Sequence, residues 1–353
     1  MKSKIYLIFL GAGASIPLGL PGSVELVTDF VNELKKTHES DRTSMIRKIG
    51  WIRKKILSNK FDFDSESFYS CLQGYSDPTK FIRQAGPFAS ALCKTQPVSK
   101  ARPDPICTKL RSLFEEYLIT RYYDESPFLK LRIKNMYNRL FSRVSGVTDW
   151  KDSEPDWKSS GFEIFTTNYD YVLETYSDQV SQSRFVGYRV AEDGRVIFTP
   201  EEYDKNKSPL KIYKLHGSVE LSMLDNNQVI SHLPPTIPGR TYGGRRIASK
   251  VMVYGVQKNL IAEPYFDLLS IFKKRLAKLK KCLFVGYSFR DPWITQVMLD
   301  IIKNHPSMIE IRFIGTKSHT RIPRIPMLNR TVKQIARKLE GYLGLPVVKG
   351  EKH

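Results

Sequence analysis

The sequence predicts an α/β fold, a parallel β-sheet with crossover helices and a helical insertion subdomain. Three observations carry this. Short apolar runs rich in β-branched and aromatic residues recur with helical stretches between them. Five of the six runs lead directly into a Gly, Asn or His cluster, as strands do at the ligand-binding edge of an open parallel sheet. Between the first run and the second lie about 150 residues that read mostly as helix, far beyond the dozen or so that a crossover needs.

The first run, Ile5–Leu10, comes after Lys2 and Lys4 and opens an uncharged stretch reaching Val24. A leader or membrane span is the trap here. The apolar block is short, and Gly11, Gly13, Pro17, Gly19, Pro21 and Gly22 interrupt the residues beyond it, so a buried strand entering a glycine loop is the better fit. Helical periodicity then covers Val24–Lys36, Thr43–Leu57, Lys80–Cys93, Pro105–Tyr122 and Phe128–Val144, punctuated by Pro78, Pro97, Pro103 and Pro105. Trp150–Gly161 reads as the return linker. The remaining strand candidates are Phe162–Thr166, Lys211–Leu215, Val251–Tyr254, Cys282–Val285 and Ile309–Ile314. Leu224–Lys250, with Pro234, Pro235, Pro238, Gly239, Gly243 and Gly244, reads as a loop or small insertion. The expected domains are a Rossmann-like core over 1–30 and 160–320, a helical insertion over 31–150, and a basic helical extension over 321–353, its cationic helix near Thr331–Leu343.

With 353 residues, 41% of them hydrophobic and 12% aromatic, the chain can fill a core, which excludes a disordered tail or a mini-protein. Lys and Arg number 56 against 36 Asp and Glu, a net +20. From Arg240 to His353 there are 23 basic and 7 acidic residues, 23 − 7 = +16, so the excess is concentrated in the last third. Such a surface suits nucleic acid or an acidic partner. Lys273–Lys281 alone holds six cations on an expected helix, either a solvated face or a contact surface. Cys71, Cys93, Cys107 and Cys282 form no C-x-x-C pair, which fits reduced thiols in a cytoplasmic protein and no metal site.

Four clusters carry chemistry. Gly11-Ala12-Gly13-Ala14-Ser15 comes directly after the first strand and precedes Leu18–Gly22 and a helix. Glycines let a backbone approach a pyrophosphate, although a tight strand-to-helix turn without ligand has the same pattern. Thr166-Thr167-Asn168-Tyr169-Asp170 ends the second strand, where Asn and Asp also serve as turn formers. His216-Gly217-Ser218 ends the third motif strand, and Gly286-Tyr287-Ser288 the fourth. Singly each has a structural reading. Together they set a glycine loop, an amide, a carboxylate and an imidazole along one sheet edge.

In this order, GAGAS with GLPGS, TTNYD, KLHGS and VGYSFRDPWI resemble the sirtuin-like domain in the branch found in prokaryotic antiviral defence proteins. The likeness covers roughly residues 1–30 and 160–315. Two features of deacylating sirtuins are missing, the paired C-x-x-C zinc module, with helices read in its place, and the D-F-R run after the glycine loop. The resemblance implies an NAD+ glycohydrolase that uses no metal, with NAD+ as substrate and depletion of NAD+ as its role in antiphage defence. It implies Asn168 and His216 as catalytic residues, orienting the ribose or water and accepting a proton. It implies a binding set of Gly11, Ala12, Gly13, Ala14, Ser15, Thr167, Asp170, Gly286, Tyr287 and Ser288, with Asp170 on the nicotinamide carboxamide and Gly286–Ser288 towards the adenosine. An unregulated NAD+ hydrolase would drain its own cell, so a gate is expected: a homo-oligomer, a partner ATPase or a nucleic-acid-guided protein. No membrane association is expected. The alternatives are an ADP-ribosyl or acyl transferase, and a nucleic-acid-binding subunit of a defence complex.

Overall fold

The computed structural model describes residues 4–78, 102–149, 153–252, 265–278, 281–289, 291–304, 310–314 and 332–335. In chain order, strand β1 (Lys4–Leu10) leads through two short 3-10 turns to helices α1 (Ser23–Lys36), α2 (Arg42–Ser58), α3 (Ser65–Ser76), α4 (Pro105–Tyr122) and α5 (Pro127–Ser145). Next come β2 (Ser160–Thr166), α6 (Val172–Gln179), β3 (Arg184–Phe185), the hairpin β4 (Tyr188–Val190) and β5 (Val196–Phe198), and β6 (Leu210–Lys214). Strands β7 (Gly217–Leu224), β8 (Val229–Ser231), β9 (Thr241–Tyr242) and β10 (Arg245–Met252) come after these. The described chain closes with α7 (Tyr265–Lys278), β11 (Lys281–Val285), α8 (Pro292–Asn304), β12 (Glu310–Ile314) and β13 (Val332–Ile335).

Among the described residues seven strands form the central sheet in the order β13-β12-β11-β1-β2-β6-β3, every neighbouring pair parallel. One face buries Ile8, Leu10, Ile164 and Ile212 against Ile133, Met136 and Phe141 of α5 and Leu173 and Tyr176 of α6. The other buries Leu7, Phe9, Phe165 and Phe284 against Leu268 and Phe272 of α7 and Ile294 and Met298 of α8. Burial on both faces is why these strands read as continuous apolar runs instead of alternating ones.

A separate helical core joins α1 to α4 through Leu26, Phe30, Ile52, Phe68 and Phe114. Its edges differ from the expected 31–150. Helix α1 packs with this unit, while α5 packs on the sheet, because Leu129, Ile133 and Phe141 put an apolar stripe on the sheet face. The starts are set by capping: Asp104 Oδ1 accepts from the Ile106 and Cys107 amides (2.9 and 3.1 Å) ahead of Pro105, and Ser126 Oγ from the Leu129 amide (3.3 Å) ahead of Pro127. Trp157 in the return segment packs 5.5 Å from Phe162 and 6.0 Å from Phe141, so that stretch is anchored on the core.

Three expectations are corrected. Leu224–Lys250, read as a loop or small insertion, is not a loop: with its neighbours it builds an antiparallel sheet in the order β8-β7-β10-β9. Its glycines sit at turns, Gly239, Gly243 and Gly244 having φ of 90°, 55° and 76°, the left-handed region glycine tolerates. This sheet, not a set of helices, succeeds the His216 turn. Of the strand expected over Val251–Tyr254, Val251 and Met252 are the end of β10, antiparallel to β7 and outside the parallel sheet, and Val253 and Tyr254 lie outside the described residues. Val332–Ile335, expected within a cationic helix, is the strand β13 paired parallel to β12, where pairing to an open sheet edge overrides local helix preference. The expected helix Lys80–Cys93 and the rest of 321–353 lie outside the described residues. Within the cationic run, Arg275 faces inward, its Nε 3.0 Å from Glu163 Oε2, while Lys273, Lys274 and Lys278 are exposed.

Candidate active site

Strand register brings the four motif turns level. Leu10 pairs with Thr166 on one side and Val285 on the other, and Thr166 pairs with Lys214, so four carboxyl ends finish side by side.

The glycine loop packs on the fourth turn. The amide of Gly11 donates to Val285 O (2.9 Å) and that of Gly13 to Gly286 O (3.0 Å). A Cβ on Gly11 would lie 2.6 Å from Gly286 O, and one on Gly286, whose φ is +61°, would lie 2.2 Å from Ala14 N. These glycines therefore serve first to let two backbones touch. The amides of Ala14 and Ser15 donate to Gly11 O and Ala12 O, which leaves the exposed Ala12 as the loop residue whose amide is outside these bonds.

The second turn is tied to the first by a buried chain of polar groups. Thr166 Oγ1 donates to Leu10 O (3.1 Å) and accepts from the Asn168 amide (3.0 Å), and the Thr167 amide reaches Leu10 O (3.2 Å). Asn168 Nδ2 donates to Gly11 O and to Ser15 Oγ, both at 3.1 Å, and Ser15 Oγ donates to Asp170 Oδ2 at 2.8 Å. Asn168 Oδ1 has no hydrogen bond among the described residues. Asp170 Oδ1 accepts from the Val172 amide (3.3 Å) at the start of α6. Burial pushes the Asp170 carboxyl up, opposed by the Lys214 ammonium, the Ser15 hydroxyl and the Val172 amide. With both oxygens engaged inside the protein, Asp170 anchors the turn.

His216 is buried, with Nε2 3.0 Å from Asp291 Oδ2 and its ring 6.2 Å from that of Tyr169. Asp291 Oδ1 accepts from the Trp293 and Ile294 amides (2.9 and 3.1 Å), capping α8, so one carboxyl group starts a helix and faces the imidazole. The Val219 amide donates to Tyr169 O (3.0 Å), a main-chain tie between the second and third turns. Tyr287 packs in the core, 4.7 Å from Phe9 and 4.8 Å from Phe289, so only its backbone belongs to the turn; Ser288 is half-buried there.

Gly11, Gly13, Ser15, Thr167, Asn168, Asp170 and Gly286 are thus brought together, and His216 joins them through Tyr169 and Asp291. Asp291 was not anticipated as its partner. The available signal was an Asp-Pro pair opening a helix. Lys214, Glu174 and Glu220 were not anticipated either. A lysine ending a strand that is buried on both faces, as in Lys211-Ile-Tyr-Lys-Leu215, breaks the apolar pattern and requires buried partners. Among the described residues no His, Cys, Asp and Glu group is arranged to hold a metal ion, and no helix is long and apolar enough to cross a membrane.

Comparison with known proteins gives a family model described as SIR2-like domain, matching residues 163–312. No curated protein matches. Among solved structures, a Sir2 homolog–NAD complex aligns at 12% identity over 97% of this chain and 87% of the other, with a TM-score of 0.45. A mutant Sir2 homologue bound to ADP-ribose aligns at 13% identity over 97% and 89%, with a TM-score of 0.43.

Proposed function

We propose that the chain is an NAD+ glycohydrolase that releases nicotinamide and ADP-ribose. One observation carries the reading: a glycine loop, an amide and an imidazole–carboxylate pair meet at the level carboxyl ends of four parallel strands. The match of residues 163–312 to the SIR2-like domain model supports it. The residue set fits this substrate: the Ala12 amide of the glycine loop for the pyrophosphate, Asn168 Oδ1 as an acceptor, and a base at His216.

The bond from ribose C1′ to the nicotinamide ring nitrogen breaks with both electrons going to that nitrogen, so nicotinamide leaves neutral and the sugar becomes oxocarbenium-like. Water forms the new C1′–O bond. His216 takes the proton that water loses, and Asp291 stabilises the imidazolium so formed. Asn168 Oδ1 accepts from a ribose hydroxyl or the water, while Ser15 and Asp170 hold its side chain in place. In this scheme every group comes from the chain. In the cell the reading is a cytoplasmic effector of antiphage defence that depletes NAD+, gated by self-association or by a partner that meets its basic surface.

Chromatography of NAD+ incubated with the purified full chain, alone and with nucleic acid, tests this. Equimolar nicotinamide and ADP-ribose are expected. Label carried onto protein would establish a transferase instead. Intact NAD+ together with salt-dependent DNA or RNA binding would establish a binding subunit.

A further inference from the structure

Lys214 is the last residue of β6, two positions before His216, and its ammonium is buried. Its Nζ lies 3.1 Å from Glu174 Oε1 of α6 and donates to Ser218 Oγ at 3.2 Å and to the main-chain carbonyl of Asp170. One side chain therefore touches both turns that hold the proposed catalytic groups, Asn168–Asp170 on one side and His216–Ser218 on the other. Beyond it, Ser218 Oγ donates to Glu220 Oε2, and Tyr188 OH donates to Glu220 Oε1 at 2.7 Å.

The charges explain why a lysine is required. Asp170, Glu174 and Glu220 are all buried, and Lys214 meets the Glu174 carboxylate directly, the Asp170 main-chain carbonyl, and Glu220 through Ser218. Burial pushes the Glu174 carboxyl up to about 7 against the pull of Lys214. Burial draws the Lys214 ammonium down, but Glu174, Glu220 and Asp170 outweigh it and hold it above its ordinary value. A purely structural ion pair would need only Glu174. The further contacts, to the Asp170 carbonyl and the Ser218 hydroxyl, run to the two turns.

We propose that Lys214 is a positioning residue that locks the Asn168 turn to the His216 turn, fixing the amide against the imidazole without touching substrate. This rests on the glycohydrolase reading for its consequence in turnover, while the lock itself is a property of the fold. Small misplacements of reacting groups are costly, so loss of the lock reads out in kcat.

Lys214→Met alone leaves the buried Glu174 carboxylate without its ion-pair partner and endangers folding. The informative variant is Lys214→Met combined with Glu174→Leu, which removes the pair and replaces it by apolar groups of similar size, an exchange that buried ion pairs often tolerate. For this folded double variant we expect kcat to fall about 30- to 100-fold with KM for NAD+ within about threefold of the parent. Hydrogen exchange of the amides at 168–171 and 216–219 should accelerate at both turns together. Unchanged exchange, or a kcat equal to that of the parent, overturns the lock, as does a loss confined to KM. Were the parent itself inert towards NAD+, the glycohydrolase reading would fall and the exchange measurement would still decide the role of Lys214.

Discussion

His216→Ala is expected to lower NAD+ hydrolysis by about two to four orders of magnitude, the scale for losing a general base. The fold should persist, because His216 is tied to its surroundings by Asp291 while the third turn keeps its main-chain bonds through Leu215 and Val219. Asp291→Asn separates charge from structure. Asparagine caps a helix about as well as aspartate, so α8 should start as before, yet the anion facing Nε2 is gone. Turnover should fall by about ten- to a hundredfold, corresponding to the lost stabilisation of the imidazolium, with little change in thermal stability. Initial rates of nicotinamide release, measured beside thermal unfolding, check both variants. A His216→Ala protein hydrolysing NAD+ at the parent rate would remove His216 from the mechanism.

Gly286→Ala should be the most damaging small substitution in the site. The added methyl would sit 2.2 Å from Ala14 N and 2.3 Å from Gly13 C, all backbone, at a φ of +61°. Neither partner is a flexible side chain, so the two loops must part. The left-handed backbone contributes about 1–2 kcal/mol and the overpacking about 1–3 kcal/mol, a loss of about 2–5 kcal/mol in all. Gly50→Ala is the internal control. It lies inside α2, exposed, with nothing within 4 Å of its added Cβ, and should stabilise by about 0.5–1 kcal/mol. Denaturant unfolding of the two variants should move in opposite directions. A Gly286→Ala protein as stable as the parent would show that the glycine loop and the fourth turn do not pack as described.

Much of this site is legible in the sequence because the strands that carry it are buried on both faces and stop at glycine, asparagine or histidine. Ile5–Leu10, Phe162–Thr166 and Cys282–Val285 need no tertiary knowledge to be read, and Pro105 marks a helix start by itself. What sequence spacing does not contain is pairing between motifs. Asp291 caps α8 with one oxygen, and only the fold turns the other to His216. Gly11 and Gly13 read as clearance for a pyrophosphate, whereas their nearest neighbour is Gly286. Asn168 reads as donor and acceptor, but Ser15 and Gly11 occupy its donor side. The antiparallel sheet β7 to β10 is obscured by the prolines and glycines of its turns, and β13 by cations in a stretch whose pairing is decided by the edge of β12.

The central claim is that one ribose ring is held between the Asn168 amide, the His216 imidazole and the glycine loop. The direct measurement is a crystal structure of the His216→Ala chain soaked with NAD+. The nicotinamide ribose is expected at the level ends of β1, β2 and β6, with a hydroxyl or water against Asn168 Oδ1 and the pyrophosphate at the Ala12 amide. NAD+ bound elsewhere on the chain, with Asn168 and residue 216 out of reach of the ribose, would contradict it.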